Sequence, residues 1–108
     1  MKISVVINTF NSDRFLDQCL RSVEKFDEIV LCDMHSTDGT IAIAEKYGCR
    51  IVYHERTGIV EPARNYAIAQ AENEWVLVLD SDEVVPDALR EYPYRFAETA
   101  EQRGYAAL

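Results

Sequence analysis

The chain has 108 residues, enough for one compact domain and too few for two. With 48% hydrophobic and 28% charged residues its balance is globular, which excludes a disordered tail, a collagen-like repeat and a low-complexity segment. Eleven Lys and Arg against nineteen Asp and Glu leave a net charge of −8, a surface that repels polyphosphate backbones and speaks against nucleic acid as a partner.

The first apolar run is Ile3-Ser4-Val5-Val6-Ile7, reached after a single Lys and followed at once by polar Asn8 and Thr9. It is too short for a secretory leader, and no stretch attains the roughly 18 apolar residues of a membrane span. Phe15, Leu16, Cys19, Leu20 and Val23 then recur at three- and four-residue spacing, a helical stripe with Asn11 and Ser12 before it as capping candidates. A second run, Ile29-Val30-Leu31-Cys32, is followed by Ser36-Thr37-Asp38, which opens a helix carrying Ile41, Ala44 and Tyr47 and closed by Gly48. The third run is Arg50-Ile51-Val52-Tyr53. Pro62 then starts a helix with Ala63, Ala67 and Ala71 on one stripe beside Tyr66. The fourth run is Trp75-Val76-Leu77-Val78-Leu79; after a polar loop, Pro86 begins a last helix that Pro93 interrupts.

The four runs are apolar on consecutive positions, the pattern of strands buried on both faces and usually parallel. The predicted order is β-α-β-α-β-α-β-α. It implies right-handed crossovers and a Rossmann-like open, mostly parallel sheet of about four strands flanked by helices. Residues 1–108 form one domain. The apolar residues at 104–108 look like the start of a further strand, so the domain is expected to be incomplete. Cys19, Cys32 and Cys49 are odd in number and contain no CxxC pair, so they are read as reduced thiols packed like small hydrophobes.

Ligands of open α/β sheets bind beyond the C-terminal strand ends. Here those ends carry Asn8, Thr9, Phe10 and Asn11 after the first strand, Asp33, Met34, His35 and Ser36 after the second, and Asp80, Ser81, Asp82 and Glu83 after the fourth. Three acids within four residues repel one another unless they cap a turn, face water or share a divalent cation. Arg64 lies in the first turn of its helix, where a second positive charge is unfavourable unless it pairs with an acid such as Glu61 or the helix end receives an anion such as a diphosphate. No glycine-rich phosphate loop is present, which points away from NAD enzymes and from nucleotide triphosphatases.

Four blocks resemble family 2 inverting glycosyltransferases of the GT-A fold: Ser4-Val5-Val6-Ile7-Asn8-Thr9-Phe10-Asn11, Cys32-Asp33-Met34-His35-Ser36-Thr37-Asp38-Gly39-Thr40, Ala63-Arg64-Asn65-Tyr66-Ala67, and the run from Trp75 through Asp80-Ser81-Asp82-Glu83. In detail they look closest to bacterial enzymes of lipopolysaccharide-core and cell-envelope synthesis. The resemblance implies transfer of a sugar from a nucleoside diphosphate, UDP-linked, to a glycan or lipid-linked glycan acceptor hydroxyl, in the cytoplasm or peripherally at the inner face of the membrane. It implies that Thr9 and Asn11 line the nucleotide pocket, that Asp33 accepts a hydrogen bond from the base, and that Arg64 reaches the nucleotide or its phosphates. Asp80-Ser81-Asp82 matches the DxD motif, with Asp82 a direct ligand of Mn²⁺ or Mg²⁺ and Asp80 near ribose or metal. Many relatives carry Asp-Asp-Gly-Ser where this chain has Asp33-Met34-His35-Ser36, so a second acid is absent and His35 stands at a glycine position. Relatives also continue into an acceptor-binding half with an acidic general base, which none of Asp87, Glu91, Glu98 or Glu101 matches. The base is therefore expected beyond Leu108.

Two alternatives compete. The residues 78–84 also fit the phosphatase pattern of haloacid dehalogenases, although no Lys occurs among the residues after Val84. A non-catalytic module that binds a nucleotide sugar or a protein is the other. An apolar edge on the fourth strand would favour self-association or a homodimer. His35 and His54 are read as surface turn residues.

Overall fold

The structure is a computed structural model and describes residues 2–56 and 61–102. Four parallel strands, β1 (Ile3–Thr9), β2 (Glu28–Asp33), β3 (Arg50–Tyr53) and β4 (Trp75–Asp80), form one sheet in the order β3-β2-β1-β4. The helices between and after them are α1 (Leu16–Val23), α2 (Thr40–Lys46), α3 (Glu61–Ala69) and α4 (Tyr92–Gln102). The expected Rossmann-like order is present, and the apolar residues at 104–108 lie outside the described residues.

From β1 the chain steps outward to β2 and β3, then returns across the sheet to place β4 on the far side of β1. Right-handed crossovers of that order put α1 and α2 on one face and α3 on the other. The packing agrees. Ile3, Val5 and Ile7 of β1 meet Leu16, Cys19, Leu20 and Val23 of α1 and Ala44 of α2. Val6, on the opposite face, packs with Val30, Cys32 and Ala67 of α3. Residues 3–7 are fully buried on both sides, which is why they read as a nearly continuous apolar run broken only by Ser4. Each large aliphatic side chain so buried stabilises the fold by about 1.5–3 kcal/mol. The small Ala63 and Ala67 let α3 approach the sheet closely.

Local chemistry sets the ends. Gly48 takes φ +70°, and its N–H and that of Cys49 return to the carbonyls of Glu45 and Ala44, closing α2 in the left-handed cap that glycine permits. Two expectations are corrected. Neither Asn11 nor Ser12 caps α1 with its side chain: a turn at 13–15 intervenes, Phe15 stands at the cap position, and Ser12 contributes its backbone carbonyl to the N–H groups of Phe15 and Leu16. Pro93 does not interrupt a helix. Pro86 precedes a single 3₁₀ turn (Asp87–Leu89), and Pro93 is the second residue of α4, where its missing N–H has no partner to lose. Pro62 likewise stands second in α3.

The three thiols are free, with Cys19 and Cys32 buried and Cys49 half-buried, in keeping with packing roles. At the opposite end of the sheet from the strand C-termini, Asp27 joins three elements. One of its oxygens accepts the Ile3 N–H at 2.8 Å and the Tyr94 hydroxyl at 2.6 Å, and the Tyr94 ring stacks on Phe26. Partial burial works against the Asp27 charge, but the Tyr94 hydroxyl and the Ile3 amide hold its carboxyl below the usual range. A carboxyl depressed in the folded state stabilises it above the unfolded value and loses that contribution as pH falls below about 4. Tyr94→Phe is expected to lose about 0.5–1 kcal/mol at pH 7. Its urea midpoint should then fall less than that of the wild type between pH 5 and pH 3, which denaturation at both pH values measures.

Candidate functional site

The C-terminal strand ends meet along one rim. Thr9 pairs in register with Asp33 on one side of β1, and Asn8 with Asp80 on the other. The strand order reverses between β1 and β4, where open sheets of this kind offer a crevice. A cleft of about 500 Å³ lies there. Asn8, Asn11, Ser12, Ser81, Asp80 and Asp82 line it, together with Phe15 and Met34.

Asp33 does not open onto this cleft. It is fully buried, and its carboxylate accepts the Thr9 hydroxyl at 2.6 Å, the Ser36 hydroxyl at 2.6 Å and the Ser36 N–H at 2.7 Å. Thr9 is itself only 1% exposed. A buried charge needs such donors, and here they come from β1 and from the loop that follows β2. The bonding continues between the loops. The Ser36 hydroxyl accepts the Asn11 N–H, Asn11 Oδ1 accepts the Thr37 N–H, Thr40 Oγ1 accepts the Ser12 N–H, and Asp13 Oδ2 accepts the Gly39 N–H. Asp38 receives the N–H groups of Asp13 and Thr40 and the Thr40 hydroxyl.

Two non-glycine residues of these loops have positive φ, Asn11 at 46° and His35 at 62°. Asn is among the non-glycine residues most often found in this region, and here the Asn11 amide oxygen is held by the Thr37 N–H; for His35 the cost is on the order of 1 kcal/mol, and its ring stacks on Tyr53 at 5.5 Å. Nearby, the Arg56 guanidinium lies 4.0 Å from the centre of the Phe10 ring, and the His54 ring packs on Tyr66.

The acids after β4 divide by role. Glu83 closes its own turn, accepting the Asp80 N–H at 2.8 Å while its N–H bonds the Asp80 carbonyl. Asp80 and Asp82 are exposed, and among the described residues their carboxylates have no hydrogen-bond or ion-pair partner. Beneath them, burial and then the Glu83 and Asp82 charges push the Cys19 thiol up to about 12. Among the described residues no three His, Cys, Asp or Glu side chains converge as a closed metal site. The donor set is nonetheless one of hard oxygens with no competing cation, which suits a divalent ion completed by ligand oxygens. Asn8 Oδ1 is buried and has no partner among the described residues.

Arg64 sits in α3 half-buried, its Nε buried and unpartnered among the described residues, and it does not line this cleft. Of the residues assigned in advance, the cleft therefore gathers Asn11, Asp80 and Asp82, while Thr9 and Asp33 lie beneath its wall. Sequence reasoning placed Asn8 and Met34 at strand ends without assigning them a ligand contact, and read Ser12 as a helix cap and Phe15 as part of the α1 stripe; position at a strand end was the signal for the first two, and Phe15 had none.

A match to the family model described as glycosyl transferase family 2 extends over residues 4–105. The chain belongs to that family. The poly(ribitol-phosphate) beta-N-acetylglucosaminyltransferase TarS of Staphylococcus aureus is 38% identical over 96 residues, 79% of this chain and 17% of that protein. The lipopolysaccharide core biosynthesis glycosyltransferase LpsC of Rhizobium meliloti is 32% identical over 84% of the chain and 35% of that protein. Thus the chain spans about a third or less of the length of these family 2 relatives. TarS 1-349 in complex with UDP-GlcNAc aligns with a TM-score of 0.78 at 32% identity, covering 96% of this chain and 33% of that one. Glucosyl-3-phosphoglycerate synthase of Mycobacterium tuberculosis, solved with Mn²⁺ and UDP, aligns at 0.69 and 28% identity, covering 82% and 36%. The fold is that of GT-A glycosyltransferases, and the phosphatase alternative gains no support. No helix among the described residues is long and apolar enough to cross a membrane.

Asp33→Asn would turn one acceptor oxygen into a donor facing Thr9 or Ser36. A loss of about 1–3 kcal/mol in folding stability is expected, read from the urea midpoint, with little change in secondary structure by circular dichroism.

Proposed function

We propose that this chain is the donor-binding part of a glycosyltransferase that takes a UDP-linked sugar and transfers it to an acceptor hydroxyl of a cell-envelope polysaccharide. The observation that carries this reading is the pair of carboxylates, Asp80 and Asp82, unpartnered among the described residues at the point where the sheet order reverses. The cell-envelope assignment is supported by likeness to TarS and LpsC, and the nucleotide by the UDP complexes of the similar structures.

In this reading Asp82 holds Mn²⁺ or Mg²⁺, and Asp80 holds the same ion or the ribose. The ion would offset the charge of the diphosphate leaving group. Asn11 and Asn8 offer amides to the nucleotide from the β1 side, and Thr9 and Asp33 hold the loop beneath it. Arg64, with its idle Nε, is assigned to the phosphates. In-line displacement at the anomeric carbon also needs a base for the acceptor hydroxyl. Asp87 and Glu91 line a separate groove with Lys25, Phe26 and Tyr94, so the base is assigned to a segment other than this one. That same placement favours a second reading, a module that binds the donor without transferring it. The outer edge of β4 is unpaired among the described residues, and pairing of two copies along it is the assembly this reading expects. Sedimentation at high concentration should show a dimer, and a clean monomer would remove that part of the proposal.

The donor assignment is tested by calorimetric titration of UDP with and without Mn²⁺. Binding should require the ion, and Asp82→Ala should weaken it tenfold or more. Binding indifferent to both would defeat the reading.

A further inference from the structure

Among the described residues three buried side-chain atoms lack a hydrogen-bond partner: Asn8 Oδ1, Arg64 Nε and Arg90 Nε. A buried polar group left unpaired costs stability, so such atoms are rare. Arg90 closes the 3₁₀ turn after Pro86, where its guanidinium pairs with Asp87. The other two are an acceptor and a donor, and the fold brings them to one height on one face of the sheet.

Successive residues of β1 face opposite sides. Ile3, Val5 and Ile7 pack with α1, so Ser4, Val6 and Asn8 share the face that α3 covers. Two contacts set the height of α3 on that face. Ser4 Oγ, near the start of β1, accepts the Asn73 N–H and the Asn73 Nδ2 group just beyond the end of α3, and Val6 packs with Ala67. The helix therefore runs antiparallel to β1. From Val6 to Asn8 is about 6.7 Å of strand and from Ala67 back to Ala63 about 6 Å of helix, which sets Asn8 level with Ala63 and Arg64. Ile68 and Ala71 lie four and seven residues after Arg64, on its stripe, and pack against the same apolar cluster as Val6. Side chains of a helix lean toward its N-terminus, which for α3 is the rim end. Asn8 also lines the cleft, opposite Asp80 in register, whereas Arg64 does not line it.

We propose that Asn8 is a positioning residue for Arg64: with the nucleotide sugar bound, Asn8 Oδ1 accepts the Arg64 Nε N–H and directs the two terminal amino groups of the guanidinium at the diphosphate. The inference rests on the donor reading and deepens it. A guanidinium carries its donors in a rigid planar fork, so a bond at Nε fixes the direction of the others. The same bond satisfies two buried groups at once and leaves Asn8 Nδ2 to the nucleotide.

Calorimetric titration of UDP with Mn²⁺ into the wild type, Asn8→Leu, Arg64→Lys and the double variant tests this. Leucine removes the acceptor at nearly constant size, and lysine keeps the charge without a donor at the Nε position. Each single substitution should weaken UDP binding about five- to tenfold, and the double variant should bind within about twofold of the weaker single one. Losses that multiply in the double variant mean that Asn8 acts without Arg64; they overturn the inference and leave the donor reading standing. Unchanged affinity in either single variant does the same. Should Asn8→Leu fail to fold by circular dichroism, Asn8→Ala takes its place in the cycle. No binding of UDP to the wild type overturns the donor reading and this inference with it.

Discussion

An ionised carboxylate with no access to water must be met by donors from the protein, and the burial of Asp33 imposes that requirement at the rim of this sheet. Thr9 answers from β1 and Ser36 from the loop after β2, so one charge fixes the relation between a strand end and the loop beside it. Ser36 in turn accepts the Asn11 N–H, which carries the constraint into the loop after β1. On its other side β1 is hydrogen-bonded to β4, with Asn8 opposite Asp80. Both walls of the cleft are thereby indexed to the same central strand.

That strand is central because it is apolar on both faces. The large side chains of α1 cover one side and the small ones of α3 the other, which leaves the polar residues of β1 at its last two positions and at Ser4 near its start. The acids of the rim then sort by what lies within reach rather than by type. Asp33 is a structural anchor, Glu83 a turn closure, and the Asp80 and Asp82 carboxylates have no partner among the described residues. The same side-chain chemistry performs three tasks within one edge of a sheet.

Most of the fold was legible in the residues. Burial on two faces leaves consecutive apolar residues, and the four runs located the strands to within two residues at their ends. Gly48 marked its helix end because only a left-handed residue fits there. Pro93 was misread because proline breaks a helix interior and opens a helix start, and the choice depends on where α4 begins. Asn11 and Ser12 were misread for a related reason: their partners lie about 25 residues away in the next loop, and local pattern carries no record of them. The acid run after β4 was visible as a cluster, but its division into Glu83 and the free pair depends on backbone geometry. Whether the Asp33 carboxylate faces a ligand or the interior was equally beyond reach of spacing, since Thr9 and Ser36 close over it only in three dimensions.

The bonds that lace the two rim loops together run from side chains to backbone, and they persist at the expense of two residues in the left-handed region, Asn11 and His35. A surface already set in this way surrenders little entropy when a molecule lands on it. A molecule arriving at this edge would meet a standing shape, with no need for the loops to close around it.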